Sequence, residues 1–291
     1  MMNNLLYLSY GEGLHEQEVV FSLFTALRVS PGLARHCRIL VFTDRPSVFA
    51  ALPVEVHEVK PEQWVDWSGP WNFAHRRKIL ALGHALKTYG GPIVLLDGDT
   101  WFRRPVEMLF DRVGPGRAVM HLREGVISEI RSPLMEKLTA FLGSRDFSGV
   151  DGKSASVSPH EAMWNAGVVG LDPADAGLLE DVRHLTDGFC QCATFHVLEQ
   201  FAFSHVLSTR TRLSEAEDLI FHYWPPYLHE PFRKRLPVLM RETEALPLAA
   251  RAARLFAGRP RPTLPRRGKV ILKRCLQAAG ILKGRARSSE W

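Results

Sequence analysis

Ile93-Val94-Leu95-Leu96-Asp97-Gly98-Asp99-Thr100 is the stretch of this 291-residue chain from which the fold can be read. Four aliphatic residues in a row show no polar alternation, which suits a strand covered on both faces in the middle of a parallel sheet. Gly90-Gly91-Pro92 stops whatever helix precedes it. The aliphatic run leads directly into two acids, which therefore stand at the carboxyl edge of the strand, where open α/β sheets bind ligands. Residues i and i+2 of extended backbone project to the same side, so the carboxylates of Asp97 and Asp99 converge. Such a pair resists joint ionisation unless a cation lies beside it. Hard oxygen donors suit Mg²⁺ or Mn²⁺, and Gly98 puts no side chain in a ligand's way. Spacing alone leaves a second reading open, a polar turn in which Asp and Gly recur for backbone reasons.

Outward from this point the pattern repeats. Residues 4–10 and 38–42 are strand candidates, separated by a helical spacing of Val19, Val20, Leu23, Phe24 and Leu27. A third strand fits 54–59 and a helix fits 77–89. Alternating strands and helices predict an α/β domain with a mostly parallel sheet. A composition of 46% hydrophobic and 23% charged residues is that of a folded chain. The N-terminus reads as a first strand rather than a leader, and no run approaches the ~18 to 20 apolar residues that span a bilayer, so the sequence predicts a cytosolic protein. Cys37, Cys190, Cys192 and Cys275 are irregularly spaced, as expected of reduced thiols, and Cys190-Gln-Cys192 lacks the second pair of a zinc site.

The net charge of +6 is uneven. Residues 251–287 hold 12 of the 37 basic residues and none of the 31 acidic ones, so the rest of the chain is at −6. The sequence divides accordingly into a body over residues 1–245 and a basic Pro/Arg-rich linker and tail over 246–291. Within the tail, Ile271, Leu272, Cys275, Leu276, Ala279 and Leu282 fall within about 140° of a helical wheel, with Lys273, Arg274 and Gln277 opposite. A basic amphipathic segment of this kind suits the inner face of an anionic membrane, and by proximity a lipid-linked acceptor.

In order, Arg76-Arg77-Lys78, a helix, the strand at 93–96, Asp97-Gly98-Asp99-Thr100 and Trp101-Phe102-Arg103-Arg104-Pro105 make a pattern that resembles the GT-A glycosyltransferases, including the glycogenin and lipopolysaccharide galactosyltransferase-like sugar transferases. Met163-Trp164-Asn165-Ala166-Gly167-Val168-Val169-Gly170 is similar to that family's strand beside the donor sugar. Glu199-Gln200 resembles its acidic-Gln pair, and Phe221-His222-Tyr223 its late histidine. The resemblance runs over residues 4–223 and implies a Rossmann-like GT-A domain that moves a sugar from a nucleoside-diphosphate sugar, such as a UDP-sugar, to a glycan or lipid-linked hydroxyl. It implies a metal, Mn²⁺ or Mg²⁺, on Asp97, Asp99 and His222, with His229 as a rival ligand; an imidazole among oxygens favours Mn²⁺. Asn165 and Glu199 would face the sugar, Gly167 would permit close approach, and Gln200 would follow Glu199. Arg76, Arg77 or Lys78 would meet the diphosphate, together with Asp97 and Gly98. Tyr10 would stack on the base and Asp44 would bond base or ribose. Glu161, Asp151 and Glu199 all remain open as the base, and His160 with Glu161 as acceptor contacts.

Other function classes fit less well. A haloacid-dehalogenase-type phosphatase places Asp-x-Asp near the N-terminus and follows it with Gly-Thr, whereas Thr100-Trp101 follow here. A sugar nucleotidyltransferase carries a basic, Gly-rich loop after its first strand, and Ser9-Tyr10-Gly11-Glu12-Gly13 has no base. Nucleic-acid binding through the tail leaves the acidic body and the two aspartates unexplained.

Overall fold

β4 (Ile93–Leu96) forms where the aliphatic run predicts it, with all four residues buried. The computed structural model describes residues 2–144, 147–148, 154–155, 157–193 and 195–261. Around β4 lie β1 (Asn3–Ser9), β2 (Cys37–Thr43), β3 (Glu55–Glu58), β6 (Arg117–Val126), β9 (Ala162–Leu171) and β10 (Arg212–Glu215), in the order β10-β6-β9-β4-β1-β2-β3. β1 is parallel to both β2 and β4, β2 to β3, and β10 to β6; β9 runs antiparallel to β4 and β6. The mixed, mostly parallel α/β sheet expected from the sequence is the one that forms. Two small antiparallel ribbons complete the strands: β5 (Thr100–Phe102) with β11 (Ile220–His222), and β7 (Phe147–Ser148) with β8 (Ser154–Ala155).

The helices are α1 (Leu14–Val29), α2 (Pro61–Ser68), α3 (Arg76–Tyr89), α4 (Glu107–Phe110), α5 (Pro133–Gly143), α6 (Leu178–Cys190), α7 (Leu198–Arg210), α8 (Pro226–Thr243) and α9 (Leu248–Ala257). They cover both faces of the sheet. Leu6, Leu40, Phe42, Leu95 and Val169 point into one core with α3, α6 and α7, while Leu5, Tyr7, Val41, Val94 and Leu96 point into another with α1, α8 and α9. That is the period-2 alternation of strands buried on both sides. α3 ends at Gly90, whose φ of 63° is a backbone conformation that favours glycine, and the chain turns there into β4.

The body does not stop at residue 245. α9 lies against α1, burying Ala252 and Leu255, with the Arg251 guanidinium 4.7 Å from the centre of the Phe24 ring. The expected boundary therefore falls between two packed helices, because the Ala- and Leu-rich face of residues 248–257 is apolar enough to dock despite its arginines. The amphipathic segment at 271–282 and Cys275 lie outside the described residues. Cys37, Cys190 and Cys192 are free thiols. Among the described residues, no helix is long and apolar enough to cross a membrane.

Candidate active site

The two acids leave β4 at its carboxyl edge. The Asp97 amide donates to the Gly167 carbonyl at 2.9 Å, which carries the pairing with β9 one residue past the strand. The chain turns at Gly98, where a Cβ would lie 3.1 Å from Val19 Cγ2 and 3.3 Å from its amide nitrogen. This glycine lets the turn sit against α1, whereas the sequence suggested room for a ligand. Thr100 then opens β5, opposite His222 of β11, and the Tyr223 amide donates to the Asp99 carbonyl at 2.9 Å. A hydroxyl ladder, Tyr7 to Ser22 to Thr100 at 3.0 Å per step, ties the turn to the core.

This ribbon brings together what sequence separates. Ligand atoms of Asp97, Asp99 and His222 all lie within 4.8 Å of one another. His222 Nε2 is 3.0 Å from Asp99 Oδ1. Burial works against the imidazolium, but the charge and hydrogen bond of Asp99, with the charge of Asp97, outweigh it and hold the His222 pKa above its ordinary value. Asp99 moves the other way: burial would raise it, and His222, His229 and Lys78 bring it well below the usual carboxylate range.

The orientation of His222 is set from behind. Its Nδ1 is 2.8 Å from Asn165 Oδ1, which also accepts from the Gly167 amide at 3.0 Å, while Asn165 Nδ2 donates to Glu124 Oε1 at 3.0 Å. An oxygen facing Nδ1 requires the proton on Nδ1, so in the neutral ring the Nε2 lone pair faces Asp99. Two carboxylates and one correctly turned imidazole form a donor set that fits a divalent cation. Gly167 is part of the same device. A Cβ there would lie 2.3 Å from His222 Nδ1 and 2.4 Å from Cε1, so the glycine makes room for the imidazole. Asn165 is only 5% exposed and bonded at both ends, which places it behind His222, where the sequence reading had it facing a sugar.

The three consecutive cations of α3 separate. Arg76 turns to α6, bonding Asp187 through two nitrogens at 2.6 and 3.1 Å and the carbonyls of Asp66 and Trp67. It is a structural clamp and no phosphate ligand. Arg77 donates to Ser68 Oγ and lies 4.4 Å from the centre of the Tyr10 ring, which in turn meets Trp64 at 4.9 Å. Lys78 alone enters the site, with Nζ 2.8 Å from Asp97 and 3.7 Å from Glu199. Burial opposes its charge, but Asp97 and Glu199 outweigh burial and keep the ammonium above its ordinary range. Glu199 is 2% exposed, and its Oε2 has no hydrogen-bond partner. Gln200 accepts from the Ala166 amide and donates to Glu124 Oε2, both at 3.3 Å.

Of the remaining expectations, Asp44 accepts from the Gly11 amide at 3.0 Å and keeps Oδ1 buried and unbonded. Glu161 bonds the Ser158 amide and His205, which joins it to the turn before β9 and to α7 and to none of the acid-histidine group; His160 is exposed beside Ser128. Asp151 lies outside the described residues. His229, the rival ligand, is in the first turns of α8, with Nε2 2.9 Å from Glu18 Oε1 and 4.0 Å from Asp99 Oδ2. Glu18 and Glu124 are the acids that sequence reasoning missed. Burial would raise the Glu18 carboxyl, yet bonds from His15 and His229 and the charge of Arg233 hold it below its ordinary value. Its position among the buried residues of α1, next to Val19 and Val20, was the available signal. A cavity of about 230 Å³ opens beside the aspartates, lined by Tyr10, His15, Glu18, His75, Lys78 and His229 among others.

No family model matches the chain, and no curated protein matches it. Among solved structures it is similar to that of mouse xyloside xylosyltransferase 1 in its apo form, at 14% identity and a TM-score of 0.48 over 74% of this chain and 85% of that one.

Proposed function

We propose that this protein is a metal-dependent glycosyltransferase that moves a sugar from a nucleoside-diphosphate sugar, a UDP-sugar in the first instance, to an acceptor hydroxyl of a glycan or lipid-linked saccharide. The observation that carries the proposal is the Asp97, Asp99 and His222 group at the carboxyl edge of β4, with Asn165 turning His222 towards the acids. A divalent ion held there supplies positive charge to the departing diphosphate. Lys78 adds a second positive charge at the same edge. The Oε2 of Glu199, buried and without a partner, is suited to accept from a sugar hydroxyl and so to fix the ring. Tyr10 offers a flat face for a base, with its position held by Arg77 and Trp64, and the free Oδ1 of Asp44 offers an acceptor to base or ribose.

The proposed partner of the tail is an anionic membrane surface. A groove of about 710 Å³ between α8 and α9 is lined by Arg235, Arg254, Arg259 and Arg261 against one acid, Glu242. The experiment that tests the activity is a panel of nucleotide sugars assayed for nucleoside diphosphate release with Mn²⁺, Mg²⁺ or chelator. Release with Mn²⁺, abolished by chelator and by the Asp97→Ala, Asp99→Ala double variant, is expected. Turnover indifferent to both would overturn the proposal.

A further inference from the structure

One carboxylate behind the site has no part in the function proposed above. Glu124 stands near the end of β6, facing β9 where the two strands lose register: Met120 pairs with Val169 and Leu122 with Asn165, so His121 alone stands opposite Ala166, Gly167 and Val168. With the β6 register broken here and the β4 pairing ending at Leu96 and Val168, two consecutive amides of β9 are taken by side chains. The Ala166 amide donates to Gln200 Oε1 at 3.3 Å and the Gly167 amide to Asn165 Oδ1 at 3.0 Å. Each side-chain amide is thereby turned with its NH₂ group the other way, and both NH₂ groups end on Glu124: Asn165 Nδ2 at 3.0 Å from Oε1, Gln200 Nε2 at 3.3 Å from Oε2.

An ionised carboxylate only accepts, so both amides are held in that sense. For Asn165 the consequence reaches the metal ligand, because its Oδ1 is the acceptor 2.8 Å from His222 Nδ1. We infer that Glu124 is a positioning residue of the metal centre: acting through Asn165, it keeps the proton of His222 on Nδ1 and leaves Nε2 to coordinate. Outer partners of metal-bound histidines typically contribute 10- to 100-fold to metal affinity, by fixing tautomer and ring orientation. Here the outer partner is itself a neutral amide that must be turned the right way, and Glu124 together with the Gly167 amide turns it. The inference rests on the metal-dependent reading of the site.

The test uses the full chain and Mn²⁺ alone, with affinity read by titration calorimetry or by the loss of the free-ion paramagnetic resonance signal. Glu124→Gln keeps size and shape but has one acceptor for two NH₂ groups. It is expected to weaken Mn²⁺ binding about tenfold or more. The ¹⁵N spectrum of the His222 ring, taken without metal at alkaline pH, is expected to change from a single Nδ1–H tautomer to a mixture. Adding Asn165→Asp to Glu124→Gln restores complementarity, because residue 124 then donates to the new carboxylate and still accepts from Gln200, while the carboxylate accepts from Gly167 and His222. Recovery to within about threefold of wild type is expected of the double variant. Glu124→Gln binding Mn²⁺ as wild type does with an unchanged tautomer, or a double variant no better than the single one, would overturn the inference. Wild type that binds no Mn²⁺ would defeat the functional reading instead, and the tautomer spectrum would then decide the role of Glu124 by itself.

Discussion

Replacing Gly167 by Ala tests whether this glycine exists for His222. The added Cβ would lie 2.3 Å from Nδ1 and 2.4 Å from Cε1 of the ring, and 3.0 Å from Asn165 Oδ1. Ordinary contact needs about 3.5 Å, so the imidazole must retreat by about 1 Å. It has little room. Asn165 holds Nδ1 at 2.8 Å, Asp99 holds Nε2 at 3.0 Å, and His121 packs edge-on at 5.3 Å. Metal ligation tolerates about 0.2 Å, and a misplacement of about 1 Å at a reacting centre costs on the order of 100-fold in rate. Gly167→Ala is therefore expected to lower Mn²⁺ affinity at least tenfold and turnover further still. Overpacking also destabilises the fold by about 1 to 3 kcal/mol, which a loss of activity alone would not separate from loss of the metal ligand. Gly170→Ala supplies the control on the same strand. Its Cβ would strike Val113 at 2.9 Å and Val94 at 3.1 Å, a core clash with no metal ligand involved. It should lower the melting temperature while leaving Mn²⁺ affinity within about twofold. Gly167→Ala with wild-type Mn²⁺ affinity by calorimetry would refute the reasoning.

Four further outcomes follow from the structure. The His222 pKa is held above its ordinary value of about 6.5, so a metal must displace a proton from it; Mn²⁺ affinity should rise by up to about tenfold per pH unit below that raised pKa, measured by calorimetry from pH 6 upwards. The stability from this raised pKa is present below pH ~6.5 and lost as pH climbs through the folded-state value. Chelator-treated protein should accordingly melt lower at pH 9 than at pH 6 by more than an Asp99→Asn variant does, and parallel melting curves for the two would count against the pairing. Arg76→Met removes a mostly buried clamp on Asp187 and should destabilise by about 3 to 5 kcal/mol in urea unfolding while Mn²⁺ affinity stays unchanged; weakened metal binding would return Arg76 to the site. Truncation after Arg261 should lower retention on anionic liposomes and spare turnover, whereas truncation after Pro247 strips α9 from α1 and should also lower the melting temperature; full retention by the shorter chains would refute the role of the tail.

What was legible in the sequence was what depends on local pattern. The unbroken Ile93-Val94-Leu95-Leu96 run fixes a strand covered on both sides, and the acids after it fall at the sheet edge because the chain has nowhere else to go. His222 and Asn165 were singled out through resemblance, and the structure sets Asn165 against His222 and His222 against Asp99. Local pattern could not sort Arg76, Arg77 and Lys78. Successive helical residues point about 100° apart, so each addresses a different neighbour: α6, the end of α2 with Tyr10, and the cleft. Nor could it show Glu124, which in Leu122-Arg123-Glu124 reads as the polar end of a strand. Its partners, Asn165 and Gln200, lie 41 and 76 residues further along the chain.

The irregular pairing of β9 is what joins these facts. Successive amides of a strand face opposite neighbours, so a regular ladder would have committed the Ala166 and Gly167 amides to the two flanking strands, leaving nothing to turn Gln200 and Asn165. Freed, they orient two side-chain amides, and Glu124 accepts from both. On the other side of β9 the Gly167 carbonyl accepts from Asp97, so one residue holds the first acid by its oxygen, turns Asn165 by its nitrogen, and admits His222 by having no side chain. Any substitution at residue 167 therefore perturbs the position of His222 before it perturbs the sheet. Gly170, three residues on in the regular part of the strand, carries no such coupling, since its partners Val94 and Val119 belong to the ladder alone.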